Sequence, residues 1–562
     1  MEITTISFDK ECIDALSNMD KGMNWPVVYI IHNNKVVYIG ETSSVMNRLL
    51  EHTKNPVRNC LDTVEIIVDD KFNKSVVLDF EQNLIRLCKA DDKFEEVQNL
   101  NDGQSASHEY YDRIYYENMI PDLWRMLMDR KLANRDFYNI INNNIYKYSP
   151  YTSLNGEQLS IYRDVLFDVY DSLTHGRKGD FVITGGAGTG KTILAVKLLY
   201  TLNILGKKGI EEIISDEDED IATVNHFSKY VQERGKLKVG LCISMESLRE
   251  TLKNVVKECG IGRGLVFGPS DIAKKEFDVV IVDEAHRLKQ RKNLGHNYAT
   301  FEKTSKRLGL DPNECTQLDW IEHNSRYCIL FYDENQSIKG ADITPEQFQY
   351  SVGQTNIRTL TTQMRCRGGK AFTRYIDDIL GCKKPDREHF GNEFQFMLFD
   401  DVQKMVETIR LKDTTEKLCR NVAGFSWKWV TQGMSYDDII ADGLYDIEID
   451  NNKYIWNTER VGWILSKHAI DEIGSVHTTQ GFDLNYVGVI FGPEIDYDIK
   501  TDSIVIDETK FFDSNVKLKA SKKELHRYVI NAYKVLLTRG IKGCYVYAYN
   551  DGLREYFRRY ID

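Results

Sequence analysis

The alternation of apolar and polar residues near the amino terminus predicts a β-hairpin. Two short β-type runs, residues 26–31 and 35–40, flank the turn-forming sequence His-Asn-Asn at residues 32–34. Gly40 permits a sharp exit from the second run, and a following threonine or serine can cap a helix. The hairpin is therefore expected to lead directly into a helix.

Two amphipathic helices are predicted after the hairpin. In the first, Arg48 and His52 are four residues apart and share one face. The second spans residues 76–89 and places Glu81 among apolar positions. Together with the hairpin, these helices indicate a small α+β domain.

Two apolar runs farther along the chain predict buried strands that end in polar motifs. Residues 180–184 form the first run, and a glycine-rich loop over residues 185–192 follows it and opens a helix over residues 193–199. The second run, residues 277–282, leads into the sequence Asp-Glu-Ala-His at residues 283–286. A third short apolar run, at residues 535–537, is also interpreted as strand-like.

Length and composition indicate a multidomain globular protein. At 562 residues, three or four units of about 100 to 200 residues each are expected. No apolar run approaches the roughly 18 residues that span a bilayer, so we expect no membrane segment. The 11 cysteines lack CxxC pairs and zinc-finger spacing, which favours reduced thiols and a cytoplasmic location.

The net charge of −12 leaves a nucleic-acid partner open. Phosphate backbones favour basic surfaces, but seven acidic residues fall within residues 211–220 and bias the sum. We interpret that run as a solvated loop. The global charge therefore says little about a groove elsewhere on the protein.

The glycine-rich loop has the sequence of a phosphate-binding loop between a strand and a helix. Gly185, Gly188 and Gly190 let backbone N–H groups approach phosphate oxygens. Lys191 is expected to reach the β- and γ-phosphates, and the Thr192 hydroxyl is expected to ligate Mg²⁺. The loop predicts a nucleoside triphosphate as substrate.

The acidic pair after the second strand matches a Walker B element. Asp283 is expected to hold Mg²⁺ through water, and Glu284 is expected to polarise the attacking water. The alternative, a strand end with capping acids, is disfavoured because the pair follows the phosphate-binding loop in the expected order.

Roughly the first hundred residues resemble the GIY-YIG nuclease family. Residues 27–29 stand in the place of the first tripeptide and residues 38–40 in the place of the second, and Asn99 or Asn101 stands for the asparagine that closes the motif. The resemblance implies phosphodiester hydrolysis at one divalent metal held by Glu81, with Mg²⁺ expected and Mn²⁺ as the alternative.

The same resemblance implies roles for four further side chains. Arg48 would stabilise the pentacovalent phosphate, and Tyr29 or His52 would manage the proton of the nucleophilic water. Tyr38 would complete the site. The alternative is a GIY-YIG-like fold that has lost catalysis and only binds nucleic acid.

The remainder of the chain resembles superfamily 1 helicases, in particular the Schlafen-group DNA/RNA helicase domain family. Besides the two Walker elements, six segments carry this resemblance in the family's order: residues 154–158, 241–249, 330–336, 362–367, 477–483 and 533–540.

These segments imply how the nucleotide is bound and sensed. Gln158 would recognise adenine, which makes ATP the expected fuel, and Gln336 would sense the γ-phosphate. The second motor lobe would contribute Arg365, Gln480, Gly481 and Arg539. Arg539 would act as an arginine finger that reaches the γ-phosphoryl group only when the two lobes close, which links hydrolysis to motion.

The predicted fold class is α/β, with a small GIY-YIG-like α+β domain followed by two RecA-like parallel-sheet P-loop lobes. The predicted boundaries are residues 1–105 for the nuclease-like domain, 106–148 for a helical connector, 149–353 for the first lobe and 354–562 for the second lobe. An insertion is expected at about residues 384–473 of the second lobe.

The predicted function is an ATP-dependent DNA helicase or translocase fused to a metal-dependent endonuclease, with defence against phage or other foreign DNA as the expected role. RNA is the alternative substrate, protein partners are unknown, and assembly of the chain with itself is left open. Two alternative functions remain: a repair helicase whose N-terminal module only binds DNA, and an ATP-dependent nucleic-acid sensor that does not translocate.

Overall fold

The structure is a computed structural model of the 562-residue chain. It describes the whole chain apart from these residues: 15, 17–23, 100–109, 142–143, 149, 151–153, 187, 206–220, 334–335, 337–340, 354, 363–365, 391–393, 460–461, 480–481 and 514–520. The chain divides into two compact units. The first comprises Met1–Arg177, Thr192–Val239 and Thr251–Leu265, and the second comprises Lys178–Lys191, Gly240–Glu250 and Val266–Asp562.

The strands are numbered in chain order. They are β1 Glu2–Ser7, β2 Val27–His32, β3 Val36–Thr42, β4 Thr63–Val68, β5 Glu96–Val97, β6 Gly179–Gly185, β7 Val239–Ile243, β8 Val266–Phe267, β9 Phe277–Asp283, β10 Ser325–Tyr332, β11 Asn356–Leu360, β12 Gln395–Phe399, β13 Cys419–Ala423, β14 Ile447–Ile449, β15 Asn452–Tyr454, β16 Ile473–Ser475, β17 Leu484–Phe491, β18 Ile495–Asp498, β19 Ser503–Ile506 and β20 Gly540–Ala548.

The α-helices are numbered in the same way. They are α1 Lys10–Asp14, α2 Val45–His52, α3 Lys74–Ala90, α4 Arg113–Glu117, α5 Ile120–Asp129, α6 Phe137–Ile141, α7 Asn144–Tyr148, α8 Gly156–Thr174, α9 Lys191–Ile204, α10 Ile221–Arg234, α11 Glu246–Glu258, α12 Pro269–Ile272, α13 Tyr298–Arg307, α14 Gln317–His323, α15 Pro345–Val352, α16 Gly369–Leu380, α17 Val402–Glu416, α18 Tyr436–Ala441, α19 Val476–Thr479, α20 Lys522–Leu537 and α21 Asp551–Phe557. None of these helices, within the described ranges, combines the length and apolarity needed to cross a bilayer.

The N-terminal sheet has the strand order β1-β4-β2-β3-β5. The predicted hairpin is confirmed, because β2 and β3 pair in antiparallel register with Tyr29 opposite Gly40. Alternate residues of β2 enter different cores: Val28 and Ile30 face one hydrophobic cluster, whereas Tyr29 and Ile31 face the other. This period of two places the sheet between two layers of helix.

Helices α4 to α7 lie in the segment predicted to be a helical connector, but the prediction of a separate connector is wrong. Side chains of α5, including Leu123 and Trp124, belong to the same hydrophobic cluster as β2, β3 and α3. The Tyr110 hydroxyl also donates a hydrogen bond of 2.7 Å to Asp79 on α3. A domain ending at residue 105 would leave one face of α3 uncovered, so these helices complete the N-terminal core.

The first motor lobe is organised around a six-stranded sheet of order β11-β6-β10-β9-β7-β8. The strand β6 pairs in parallel with β10 on one side and with β11 on the other, and β10 pairs in parallel with β9. Both strands predicted from the apolar runs, β6 and β9, are confirmed. The predicted boundary between residues 353 and 354 is wrong, because β11 continues this sheet as far as Leu360.

The second motor lobe contains a five-stranded parallel sheet of order β12-β20-β17-β13-β16. Alternate residues of β17 and β20 enter two hydrophobic clusters on opposite faces of this sheet. The predicted insertion at 384–473 is wrong as bounded, because β12 and β13 fall inside that range and are strands of this sheet. The parallel-sheet part of the fold prediction is confirmed for both lobes.

The segment between β13 and β16 is the part of the lobe that departs from a strand-helix alternation. Asp446 organises it by accepting hydrogen bonds from the backbone N–H groups of Val430, Thr431 and Trp456 and from the Thr431 hydroxyl. Trp427 and Trp429 pack, partly buried, against the cluster that contains Trp456. The two tryptophans therefore contribute to the core of this lobe.

Residues 535–537 belong to α20, so their interpretation as a strand is wrong. Ser521 and Glu524 begin this helix with a capping box, in which each side chain bonds the backbone of the other residue. A three-residue apolar run fits either a buried strand or one face of a helix, and the capping box 15 residues earlier decides between them.

A buried carboxyl group lies beside the carboxyl end of β17. Glu494 is almost fully buried and accepts a hydrogen bond of 2.7 Å from the Tyr533 hydroxyl on α20. Its other carboxyl oxygen has no hydrogen-bond partner among the described residues. Burial raises the pKa of Glu494 to about 7, because the charged form loses its hydration.

We predict that Glu494 makes the second lobe less stable as the pH rises. The unfolded chain ionises at about 4.5 and the folded chain at about 7, so stability is lost progressively across that interval, by roughly 3 kcal/mol in total. The Glu494→Gln variant cannot ionise and should gain thermal stability over the natural protein at pH 8 but not at pH 5. Unfolding midpoints from calorimetry test this, with exposed Glu407→Gln as control. An equal offset for Glu494→Gln at both pH values would contradict it.

Candidate functional site

The phosphate-binding loop lies at the carboxyl end of β6, next to the end of β10. The register pairs Thr184 with Tyr332, so the residues that follow, Gly185 and Asp333, emerge side by side. Gly188 and Gly190 have left-handed backbone conformations with φ of 81° and 80°. These conformations are open to glycine and turn the loop back toward the start of α9.

Lys191 is the central cation of this loop. Its Nζ is buried and donates hydrogen bonds to the carbonyl oxygens of Gly185, at 2.6 Å, and Gly186, at 2.9 Å. The same Nζ lies 3.6 Å from Oδ2 of Asp333. An ammonium group at a helix start, with carbonyl oxygens as its neutral partners, is suited to exchange those partners for phosphate oxygens.

Asp333 links Lys191 to Gln336. The Gln336 side-chain amide donates a hydrogen bond of 2.6 Å to Oδ2 of Asp333, the oxygen that faces Lys191. All three side chains are buried. The predicted γ-phosphate sensor is therefore connected to the phosphate-binding lysine through one carboxylate.

The Walker B residues follow β9 at the same edge of the sheet. Asp283 is fully buried and its Oδ1 accepts the backbone N–H of Glu284 at 3.0 Å. Glu284 has a left-handed backbone conformation with φ of 54°, and its Oε2 lies 2.9 Å from Nε2 of His286. Burial would raise the pKa of Glu284, but the charges of His286, Lys191 and Arg287 outweigh burial and hold the pKa below its usual range.

These groups fit a nucleotide triphosphate with magnesium. Thr192 is the second residue of α9, directly after Lys191, and Asp283 supplies a carboxylate beside the loop. In the described residues, no group of three or more histidine, cysteine or acidic side chains is arranged to hold a metal without further ligands.

Gln158, the predicted adenine-recognition residue, is the third residue of α8. Its Oε1 accepts the backbone N–H of Asn155 at 3.1 Å, and its own N–H donates to the Asn155 side chain at 2.8 Å. This capping box fixes the start of α8. The structure therefore gives Gln158 a structural function, and adenine recognition by Gln158 stays a prediction.

The predicted residues of the second lobe are only partly described. Arg365, Gln480 and Gly481, together with Asn101 of the N-terminal domain, lie outside the described residues. Arg539 is buried between the end of α20 and the start of β20, and its Nη1 lies 3.4 Å from the carbonyl oxygen of Phe482. Its role as an arginine finger stays a prediction.

The N-terminal domain brings the predicted tyrosine and histidine residues together. The Tyr29 hydroxyl lies 2.7 Å from Nε2 of His52, and both side chains are buried. The Tyr38 ring packs edge-on against His52 at 5.1 Å, and the Arg58 guanidinium lies 3.5 Å from the centre of the Tyr38 ring. Burial, with the neighbouring Tyr38, raises the pKa of Tyr29 well above its usual range, so the hydroxyl keeps its proton.

Glu81 lies on α3 and is buried beside Glu41. Burial and the charge of Glu41 together raise the pKa of Glu81 to about 8. Lys74 donates 2.6 Å hydrogen bonds to both carboxyl oxygens of Glu41 and so offsets its charge. A carboxyl group with a raised pKa can release its proton to bind a divalent cation.

Arg48 is the half-exposed residue of the predicted nuclease site. Its Nη1 donates a hydrogen bond of 2.9 Å to Glu51 on the same helix, and its charge acts on Tyr29. Arg48 therefore interacts with both Glu51 and Tyr29, and its planar guanidinium is suited to bind phosphate oxygens.

Asn99 closes the N-terminal site by holding the backbone of β3. Its Oδ1 accepts the N–H of Ile39 at 3.0 Å and its Nδ2 donates to the carbonyl oxygen of Ile39 at 2.8 Å. Asn99 therefore takes the structural place of a neighbouring strand at Ile39, between Tyr38 and Gly40. Of the two asparagines considered, Asn99 contacts the motif, and Asn101 lies outside the described residues.

Several residues at these sites were missed from sequence. Glu41, Lys74 and Arg58 carry no motif signal, since a single charged residue is ordinarily a surface residue. Asp333 and His286 lie inside recognised segments, at 330–336 and 283–286, but no role followed from their positions. Their burial next to catalytic candidates is visible only in the tertiary structure.

Comparison with known proteins identifies the family. Residues 178–550 match the family described as Schlafen group 3, DNA/RNA helicase domain. The chain is also 30% identical over 410 residues to the uncharacterized protein YPL245W of Saccharomyces cerevisiae, covering 67% of this chain and 83% of that protein. The chain belongs to the Schlafen group 3 DNA/RNA helicase domain family.

Solved structures give weaker likenesses. The Pif1 helicase from Bacteroides, crystallised with ADP-AlF3 and single-stranded DNA, is 9% identical with a TM-score of 0.24, covering 69% of this chain and 93% of that one. Domain III of the Thermotoga maritima replication initiation protein DnaA is 14% identical with a TM-score of 0.20, covering 47% and 88%. TM-scores this low do not establish a shared fold, so the fold assignment follows from the parallel sheets themselves.

We predict that Gly40→Ala disrupts the N-terminal site. A Cβ at this position would overlap the Tyr29 hydroxyl directly across the hairpin, so Tyr29 must move away from His52. We expect local destabilisation of about 1 to 3 kcal/mol. Hydrogen exchange of peptides from residues 27–42 measures it. Gly264→Ala is the matched control, because a Cβ there meets no neighbouring atom within 4 Å. Unchanged exchange in Gly40→Ala would contradict the prediction.

Proposed function

We propose that this protein is an ATP-driven DNA translocase or helicase joined to a metal-dependent endonuclease. The observation that carries the motor function is the chain of buried contacts from Lys191 through Asp333 to Gln336, at the sheet edge that also bears Asp283 and Glu284. A phosphate-binding lysine connected to a neighbouring polar loop supports coupling of nucleotide state to a conformational change.

In the proposed reaction, Lys191 and the N–H groups of the loop bind the β- and γ-phosphates of ATP. Glu284, held in its ionised form, accepts a hydrogen bond from the attacking water and orients the water toward the γ-phosphorus. Bound Mg²⁺ would neutralise charge on the phosphate oxygens, and Thr192 and Asp283 are the residues that would hold it.

Coupling would begin at Lys191. When its Nζ turns to a γ-phosphate oxygen, its 3.6 Å contact with Asp333 changes, and Asp333 in turn bonds Gln336. Gln336 would pass the change to the bound strand, as the resemblance implies. Arg365 and Arg539 would add positive charge to the transferring phosphoryl group from the second lobe.

DNA is the proposed substrate because the proposed nuclease site precedes the proposed motor in the same chain. The family's name covers both DNA and RNA helicase domains, so RNA is tested beside DNA. Destruction of foreign DNA, suggested by this pairing of domains, stays a prediction.

We predict that Lys191→Ala lowers ATP hydrolysis at least about 100-fold, because the amine is the main cation at the phosphate-binding loop. Phosphate release is measured with and without single-stranded DNA and RNA of increasing length. Lys257→Ala, which changes an exposed lysine on α11, is the control and should match the natural protein. Hydrolysis by Lys191→Ala at the natural rate would refute the motor assignment, whereas slow hydrolysis independent of strand length would favour a sensor.

The nuclease proposal is supported by the convergence of the motif residues in the N-terminal domain. Tyr29 and His52 are 2.7 Å apart, Gly40 has no room for a side chain, and Asn99 clamps Ile39. Glu81 has a carboxyl group with a pKa of about 8 and could hold Mg²⁺ or Mn²⁺ with several water ligands. The metal would supply Lewis-acid activation of a water molecule, and Arg48 would stabilise charge on the phosphate.

We predict that Glu81→Gln abolishes DNA cleavage while leaving ATP hydrolysis intact. The amide cannot supply the anionic oxygen that a hard divalent cation prefers. Supercoiled plasmid is incubated with Mg²⁺ or Mn²⁺, with and without ATP, and nicked and linear products are measured on gels. Exposed Glu95→Gln is the matched control. Full cutting by Glu81→Gln would overturn the site, and no cutting by the natural protein would leave the N-terminal domain as a binding module.

A further inference from the structure

Glu284 adopts a backbone conformation that is unusual for a residue with a side chain. Its φ of 54° and ψ of 46° are left-handed, immediately after the last residue of β9. Such a conformation costs on the order of 1 kcal/mol and persists only where neighbouring contacts hold it. The contacts of the Glu284 carboxylate therefore bear on how this residue is kept in place.

His286 is the side chain that faces this carboxylate. It is fully buried, and its Nε2 lies 2.9 Å from Oε2 of Glu284. Neither ring nitrogen makes an aligned hydrogen bond within the described part of the chain. A buried imidazole needs a polar partner. The Glu284 carboxylate is placed to accept a hydrogen bond from it.

His286 also packs against one of two stacked aromatic side chains. The Tyr332 ring packs edge-on to His286, with ring centres 6.2 Å apart at an angle of 78°. Phe348 stacks on Tyr332 at 3.9 Å and 14°. Tyr332 ends β10, immediately before Asp333, and Phe348 lies on α15, so the ring of His286 is fixed by elements other than its own.

We propose that His286 is a positioning residue that orients the Glu284 carboxylate toward the attacking water, with Tyr332 and Phe348 fixing the imidazole. This inference rests on the proposed ATP hydrolysis. The end of β10 then supports two parts of the proposed site. Tyr332 packs against His286, which orients Glu284, and Asp333 contacts Lys191, which binds phosphate.

The test is a double-mutant cycle on ATP hydrolysis by the full chain. We expect His286→Ala to lower kcat roughly 10- to 100-fold, because a misplaced general base loses its alignment. KM for ATP should change less than about 2-fold, since the phosphate contacts remain. His286→Gln, whose amide nitrogen can approach the position of Nε2, should recover part of the rate, whereas His286→Asn should not.

Introducing His286→Ala into the Glu284→Gln protein distinguishes a positioning role of His286 from a structural one. There the loss caused by His286→Ala should disappear, because no carboxylate remains to be oriented. An equal loss in both backgrounds, or a His286→Ala enzyme as fast as the natural protein, would overturn the inference. If His286→Ala does not fold, judged by circular dichroism, His286→Asn takes its place in the cycle.

A separate outcome concerns the function on which the inference rests. Absence of ATP hydrolysis by the natural protein would refute the proposed motor function. Hydrolysis by the natural protein that is lost in Lys191→Ala but unaffected by changes at His286 would refute only the positioning role. Phe348→Leu removes the ring that stacks on Tyr332. If this stacking fixes the imidazole of His286, the substitution should reduce kcat about 3-fold at unchanged KM.

Discussion

The parallel pairing of β6 with β10 is the constraint on which the nucleotide site depends. Because Thr184 lies opposite Tyr332, the phosphate-binding loop and the segment that begins at Asp333 leave the sheet at the same edge. The pairing of β10 with β9 brings Asp283 and Glu284 to that edge as well. The parallel pairing thus brings together three segments separated by about 50 to 150 residues in the chain, as expected at the carboxyl ends of parallel strands.

Burial of charge at this edge is balanced locally. Lys191, Asp283, Glu284, His286 and Asp333 are largely withdrawn from water, and an isolated ion there would be strongly destabilising. Opposite charges and backbone groups offset that penalty: carbonyl oxygens face Lys191, and His286 faces Glu284. The site is therefore preorganised for phosphate and water.

The N-terminal domain depends on a steric constraint instead. Tyr29 can reach His52 only because the residue opposite it in the hairpin is glycine, and Asn99 supports the strand at that point. Helices α4 to α7 cover α3 and complete the core. The two candidate sites thus depend on different interactions. The nucleotide site depends on balanced charges at a sheet edge, and the N-terminal site depends on close packing across a hairpin.

Local patterns in the sequence were enough to predict the elements that carry chemistry. The hairpin at β2 and β3, the strands β6 and β9 and the helix that follows the loop were all predicted, because alternation, apolar runs and glycine spacing act over a few residues. These patterns identified Lys191, Asp283 and Glu284 as candidate site residues, whereas the resemblance to the GIY-YIG nuclease family implied the roles of Tyr29 and His52. The order of these residues along the chain matches known motifs, and that order predicted that they form two sites.

Only the tertiary structure decided the partners of weakly patterned segments. The strand β11 is polar and mostly exposed, so no apolar run marks it, and its membership of the first sheet comes from pairing with β6. Strands β12 and β13 lie within a segment that was interpreted as an insertion, and residues 535–537 proved to be helical. Asp333 and His286 gained their contacts from strands and helices distant in sequence. Sequence by itself determined which short segments fold and what chemistry they carry, whereas long-range pairing and burial determined which of them meet, because those free energies depend on residues far apart in the chain.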